Sequence, residues 1–296
     1  MRVSEAYGPG KLGLSFELFP PKTDAGQTAL FRHLDEMMPF RPSFVTCTYG
    51  AGGSTRHKTL EIVTEVRRRY GCPVASHLTC VGSTVADLRA YLADASERSI
   101  ENIVALRGDP PKGDDSFRPT AGGFRYANEL VALIRAEFPR FGIAVAGYPE
   151  THQEAPSEEV DLANLKRKVD AGGEVVITQL FYDNADLFRF RDRCRQAGIG
   201  APIVPGILPV TNLAQIQRIT SLCKAQLPTG FVAALERAGG DEEEQFEVGV
   251  EFATRQVQEL LDGGVPGIHF YVLNKSPSAV RVLQGVNWHV KRTEKS

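Results

Sequence analysis

The sequence predicts a single (β/α)8 barrel with an extended helical connection between its seventh and eighth strands. Three observations lead there. Eight strand-like segments recur along the 296 residues, mostly separated by stretches of helical period, and that alternation implies parallel strands. Eight repeats imply closure into a barrel. The turn after the first strand holds Pro20-Pro21, where a doubly wound open sheet, the alternative, needs fewer strands and a glycine fingerprint at this position.

The strand-like segments are Leu12–Leu18, Phe44–Thr48, Val74–Leu78, Asn102–Leu106, Ala144–Gly147, Val175–Gln179, Ile203–Gly206 and Gly267–Leu273. In the first, Leu14, Phe16 and Leu18 alternate with Ser15, Glu17 and Phe19, the period of a strand. Pro20-Pro21 then ends it, because neither proline can donate to a ladder. After the second strand, Leu60, Val63, Val66 and Tyr70 share a helical face, and Leu88, Tyr91, Leu92 and Ala95 do so after the third. Thr84 with Asp87 three residues on approaches a capping box. Ser157 caps the helix after the fifth strand, Glu158 and Glu159 suit its positive end, and Gly172 closes it. Gly50-Ala51-Gly52-Gly53 after the second strand is not GxGxxG and reads as a tight strand-to-helix loop. About sixty residues between Ile207 and Pro266 exceed one crossover. They read as a helix near Asn212–Lys224, a short segment near Gly230–Ala238 and a helix from Asp241 to Leu261.

Composition excludes several classes. The chain is 42% hydrophobic and 24% charged with a net charge of −2, an ordinary soluble balance with no basic field for nucleic acid or membrane. No apolar run reaches the roughly 20 residues of a membrane span, and MRVSEAYGPG lacks a signal peptide's apolar segment. Five cysteines form no CxxC, which suits free thiols and a cytoplasmic location. The six histidines lack metal-ligand spacing, and no metal is expected.

Barrel chemistry sits at the C-terminal ends of the strands. Those ends carry Glu17, Thr48, His77, Arg107 with Asp109, Tyr148 with His152, Gln179 and Tyr271. Each has a bland explanation: a satisfied core histidine for His77, a structural ion pair for Arg107–Asp109, a rim residue for Tyr271. Together they are an unusually polar set. On the helix after the fifth strand, Asp161, Asn164 and Lys168 share one face, with Lys166 and Arg167 close by, while Leu162, Leu165 and Val169 point inward. Such a stripe is either a solvated face or a polar shelf whose acids take hydroxyls and whose cations take phosphates.

LSFELFPPK (14–22), VTCTYGAGG (45–53), SHLTC (76–80), IVALRGDPP (103–111), AGYPETH (146–152), DLANLKRKVDAGG (161–173), ITQLFYD (177–183), PGILPV (205–210) and HFYVLN (269–274), in this order across almost the whole chain, resemble methylenetetrahydrofolate reductase. The combination is specific although no single motif is. The resemblance implies an eight-stranded barrel that binds FAD without a Rossmann domain. It implies reduction of 5,10-methylenetetrahydrofolate to 5-methyltetrahydrofolate with NADH or NADPH by a ping-pong mechanism, in one-carbon metabolism and methionine biosynthesis. A homo-oligomer is the family expectation, and the C-terminal regulatory domain of eukaryotic relatives is expected to be absent.

Carried over residue by residue, the resemblance makes Glu17 the general acid. To hold a proton near neutral pH its pKa must be raised, and an apolar surround of Phe16, Leu18 and Phe19 is expected to help. Thr48, Tyr49, Ala51, His77, Arg107, Gly108, Asp109, Tyr126, Ala127, Tyr148, His152, Ala155, Asp161, Asn164, Arg167 and Lys168 match positions around FAD. Asp109 and Gln179 match groups that meet folate, Gln179 also meeting the nicotinamide, and Asp109 puts negative charge beside the pterin. Tyr271 and Lys275 match substrate positions on the last loop. Lys275 stands where bacterial relatives are expected to have arginine, and Leu180 and Ile219 stand where phenylalanine is expected. The rivals are a flavin-free barrel aldolase or lyase using Glu17 as base, and a folate-binding protein without catalysis. The absence of lysine from the eight strand ends counts against a Schiff-base aldolase.

Overall fold

The structure, a computed structural model, describes residues 1–8, 10–48, 56–109 and 117–288. Alternation along β1 (Gly13–Leu18) sets its architecture. Leu14, Phe16 and Leu18 are buried in the apolar layer shared with the helices, so Ser15 and Glu17 take the opposite, inner face. Five strands follow in parallel, each paired with its predecessor: β2 (Phe44–Cys47), β3 (Val74–Thr79), β4 (Asn102–Leu106), β5 (Gly142–Gly147) and β6 (Val175–Thr178). On the other side of β1 lies β9 (Gly267–Tyr271), with His269 opposite Ser15 and Tyr271 opposite Glu17.

The predicted strand at Ile203–Gly206 is two short pieces. β7 (Ile203–Val204) pairs with β6, and β8 (Gly206–Ile207) pairs with β9. Pro205 separates them because it has no N–H to donate, yet its carbonyl accepts from the His269 N–H at 2.9 Å. One stave thus changes partner at a proline, and the described strands form a nearly closed parallel barrel of nine.

Helices cover the outer face: α1 (Asp24–Met37), α2 (Arg56–Tyr70), α3 (Val85–Glu97), α4 (Ala127–Glu137), α5 (Glu158–Asp170) and α6 (Asn184–Gln196). The predicted faces of α2 and α3 are the ones that pack. Leu60, Val63, Val66, Leu88, Tyr91, Leu92 and Ala95 are buried, while the Tyr70 hydroxyl reaches Asp35 at 2.7 Å. Thr84 and Asp87 form a complete capping box, and Ser157 caps α5 by accepting from the Val160 N–H. In the long connection all three segments are helical: α7 (Leu213–Cys223), α8 (Thr229–Ala238) and α9 (Glu242–Asp262), followed after β9 by α10 (Pro277–Gly285). Asp241 caps α9 through the Glu243 and Glu244 N–H groups, both at 3.0 Å. α7 and α8 pack over their own apolar cluster of Leu180, Tyr182, Leu208, Val210, Ile216, Phe231 and Leu235. Among the described residues no helix is long and apolar enough to cross a membrane.

The N-terminal end of the barrel is plugged, which the sequence analysis did not anticipate. A 3-10 turn, Val3–Ala6, buries Val3, Ala6 and Tyr7 against Phe44, Val104, Ala144, Val175 and Val204. Asn102 secures it, accepting from the Val3 N–H at 2.6 Å and donating to the Val74 carbonyl at 3.1 Å. In barrels of this class the chemistry sits at the other, C-terminal end.

Candidate active site

Glu17 ends the inner face of β1 and is 8% exposed. Its Oε2 lies 3.3 Å from His77 Nε2, brought in by β3, and 3.6 Å from His269 Nε2, brought in by β9. His269 is turned by Ser15, whose Oγ is 2.8 Å from its Nδ1, and Ser15 is 3.2 Å from the Tyr7 hydroxyl. A polar thread thus runs from the plug to the acid. The apolar surround expected for Glu17 is not formed by its neighbours in sequence. Phe16 and Leu18 face the helices and Phe19 is exposed. Burial alone pushes the carboxyl up, but the charges and hydrogen bonds of His77 and His269 outweigh it and hold the carboxyl at about 2. Around it, Thr46 Oγ1 and His77 Nδ1 are buried with no hydrogen-bond partner among the described residues, a floor suited to a ligand with hydrogen-bonding edges.

The opposite wall is basic and polar. Lys168 reaches from α5 to the end of β5, donating to the Ala146 carbonyl at 2.6 Å and standing 5.9 Å from the Tyr148 ring. Burial is the main reason its amine is lowered to about 8, with Asp161 opposing and Arg107 reinforcing the shift. Asp161 accepts from the His152 N–H at 2.9 Å, and the His152 ring packs edge-on against Tyr148 at 4.6 Å. Burial, then Arg107, lowers the His152 imidazole. Arg107 pairs bidentately with Glu154 at 2.6 and 2.7 Å rather than with Asp109, and lies 4.8 Å over the Phe117 ring. Asp109 is exposed beyond it. Gly108 holds φ +87, and a Cβ there would come within 2.5 Å of Val81, so the β4 loop needs glycine for both reasons. Asn164 and Arg167 are exposed and bonded to each other at 2.8 Å. Tyr126 is 53% exposed, the Ala127 side chain is buried, and the Ala155 N–H donates to the His152 carbonyl. Thr48 is half-buried at the end of β2, whereas Tyr49, Ala51 and the glycine loop around them lie outside the described residues.

The third wall comes from the last strands. The Tyr271 hydroxyl donates to the Thr178 carbonyl at 2.7 Å. A Cβ at Gly206 would come within 2.2 Å of that carbonyl oxygen and 2.6 Å of the tyrosine ring, so glycine is what lets the ring lie there. Gln179 turns its side-chain carbonyl to the Leu180 N–H at 2.9 Å. Beside Tyr271 opens a cavity of about 500 Å³ lined by Leu208, Asn212, Ile216, Ile219 and Lys275 among others. Ile219 therefore faces the cavity, while Leu180 is buried in the α7–α8 cluster. Sequence reasoning missed His269. The signal was present: it lies two residues before Tyr271 on the same face, and barrel closure puts the last strand beside the first.

With this geometry in hand, a family model described as methylenetetrahydrofolate reductase matches residues 2–287. The chain belongs to the methylenetetrahydrofolate reductase family. It is 41% identical over 295 residues to methylenetetrahydrofolate reductase (NADH) 1 of Zea mays, covering 96% of this chain and 50% of that one. It is 41% identical over 276 residues to the 5,10-methylenetetrahydrofolate reductase of Escherichia coli, covering 93% and 91%. The chain thus spans about half the length of the plant relative. Among solved structures, a Clostridium thermocellum protein described as binding two copies of 5-methyl-5,6,7,8-tetrahydrofolic acid aligns with a TM-score of 0.59 at 12% identity over 95% of each chain. An oxaloacetate acetylhydrolase aligns at 0.51 and 9% identity, over 94% of this chain and 80% of that one. At such identities both speak to the fold alone.

For a member of the methylenetetrahydrofolate reductase family, the donor set can be tested against FAD. Lys168 is half-buried and, among the described residues, makes one hydrogen bond from its three donors, with Arg107, Asp161 and His152 close by. An ammonium with donors to spare, a guanidinium nearby and hydroxyl-accepting groups beside them fit a diphosphate and its ribose.

Proposed function

We propose that this barrel reduces 5,10-methylenetetrahydrofolate to 5-methyltetrahydrofolate, with FAD as its cofactor and NADH or NADPH as donor, in two alternating half-reactions. The setting would be cytoplasmic one-carbon metabolism feeding methionine biosynthesis. The single observation that carries the reading is Glu17, buried between two histidines at the C-terminal end of the barrel, in a chain of this family.

FAD, when bound, supplies the hydride chemistry between nicotinamide and folate. Lys168, with Arg107 close by, would hold its diphosphate, and Asp161 and Asn164 its ribose hydroxyls. The folate's five-membered ring must open before it accepts hydride, and opening needs a proton on a ring nitrogen. A carboxyl held at about 2 does not keep that proton by itself at neutral pH. His77, its Nε2 3.3 Å from the carboxylate, is within reach to pass Glu17 the proton that Glu17 presents to the substrate. Asp109, beside the pterin, would favour the developing cation. Tyr271 and the adjoining cavity give the folate an apolar and hydrogen-bonding wall, with Lys275 as a point charge for a carboxylate. Gln179 would meet folate and nicotinamide in turn.

One observation favours a second reading. Lys168 lies on a helix rather than at a strand end, yet its amine arrives at the end of β5 lowered to about 8, as a Schiff-base lyase would want. Purification separates the two. The reductase reading expects a yellow protein whose visible absorbance bleaches with NADH or NADPH under anaerobic conditions and returns on adding methylenetetrahydrofolate. A colourless protein that borohydride fixes to a carbonyl substrate at Lys168 would overturn it.

A further inference from the structure

The last loop of the barrel is held in an unusual backbone conformation. Leu273 and Asn274 both have positive φ, +48 and +58, a region that disfavours side chains other than asparagine and its kind. Two non-glycine residues in succession there are sparsely populated and persist only when their surroundings impose them. Asn274 shows what does so. Its side-chain oxygen accepts from the Phe19 N–H at 2.8 Å, and its side-chain amide donates to the Phe19 carbonyl at 2.8 Å.

These two bonds extend a ladder that the backbone cannot. β1 and β9 pair up to Glu17 opposite Tyr271. Beyond Phe19, Pro20 and Pro21 have no N–H, and the chain turns away. The Asn274 amide, a donor and an acceptor side by side, replaces a strand at the last residue able to pair. On the far side of the loop, Ser276 donates to Glu36 and lies 2.8 Å from His33 Nδ1, which anchors the loop to α1. Between these anchors stands Lys275, whose N–H bonds back to the Val272 carbonyl at 2.8 Å and whose side chain lines the cavity beside Tyr271.

We propose that Asn274 is a positioning residue that locks the end of the strand bearing Glu17 to the loop bearing Lys275, so that the proton donor and the folate-holding wall keep one fixed separation. The role rests on the folate reading above. Asn274 touches no reacting atom. It acts through Phe19, two residues past the acid, and through Lys275, its own neighbour. Phe19 is also one of few large apolar side chains exposed on the described surface, and the same clamp keeps its backbone at the rim.

Asn274→Gly separates the amide from the backbone, because glycine adopts positive φ freely and only the clamp is lost. Two readouts follow. Hydrogen exchange at the Phe19 amide reads the clamp directly, and Pro20 and Pro21 have no amide to confuse the measurement. Protection there should fall in Asn274→Gly while the melting temperature stays near the parent's. In rapid mixing, the folate half-reaction should slow by about tenfold or more, since small misplacements of catalytic groups cost that much, with the nicotinamide half-reaction within about twofold of the parent. Asn274→Asp keeps the acceptor but sets a carboxylate against the Phe19 carbonyl, and should show the same split. If Phe19 stays as protected as in the parent, there is no clamp, whatever the activity. If protection is lost but the folate step keeps its parental rate, or both steps slow equally, Asn274 holds two loops together without positioning the site. A parent protein that never reduces methylenetetrahydrofolate would sink the folate reading instead, and with it the positioning role, while the exchange experiment would still decide the clamp.

Discussion

Glu17 sits between two imidazoles at 3.3 and 3.6 Å, and that placement has a consequence for stability as well as for chemistry. Its carboxyl is held at about 2 against an ordinary 4.5. A carboxyl lowered in the folded state contributes stability that is fully present above its ordinary value and is lost as pH falls through the folded one. Unfolding free energy should therefore decline between about pH 4.5 and 2 more steeply in the parent than in Glu17→Gln, which has no proton to gain there. Denaturant melts of both proteins across that range check this. Parallel curves would mean that the histidines do not hold the carboxyl low. The position of Glu17 was legible in the sequence, because a polar residue before Pro-Pro on an alternating strand has few other places to go. Its environment was not. Phe16 and Leu18 are adjacent in sequence but point away, whereas His77 and His269 come from strands 60 and more residues distant, and only the closed ring makes them neighbours.

At the scale of elements, the helices were the most legible part, since caps and period are local. Thr84 with Asp87, and Ser157, were readable as N-terminal signals, and each makes its hydrogen bonds. What was not legible lies where tertiary packing decides. The Val3–Ala6 turn is short and has no period, and it is ordered because it fills the barrel end. The break at Pro205 is a local event inside a stave that closure keeps continuous. The shelf on α5 was legible as a stripe, but which members reach inward was not. Lys168 is held inside by the Ala146 carbonyl, while Asn164 and Arg167 stay in solvent. The prediction belongs to that asymmetry. Lys168→Ala should weaken flavin binding by about 1.5–3 kcal/mol, the usual worth of a charge-assisted hydrogen bond, with the fold unchanged by circular dichroism. Flavin released on dilution, measured by its fluorescence, reports the change. If Lys168→Ala keeps its flavin as tightly as the parent, the stripe is only a solvated face.

At the scale of the whole molecule, closure turns a series of unremarkable strand ends into one site. β9 meets β1, and so the acid, both histidines, Tyr271 and the Asn274 loop, which come from the two termini and the third strand, share one rim. The ring also assigns the walls: cations from the β4–α5 side, the acid cluster from β1, β3 and β9, and the cavity from the β8–β9 side. In the proposed reaction these walls serve different steps, with proton delivery needed by the folate step alone. Glu17→Gln tests this most directly, since glutamine keeps the size and cannot donate a carboxylic proton. Rapid mixing followed by flavin absorbance reads the two half-reactions separately. Reduction by NADH or NADPH should proceed at nearly the parent rate, and reoxidation by methylenetetrahydrofolate should slow by about 10²–10⁴-fold, the range of a general acid. Reoxidation at the parent rate, or a loss confined to the nicotinamide step, would contradict it.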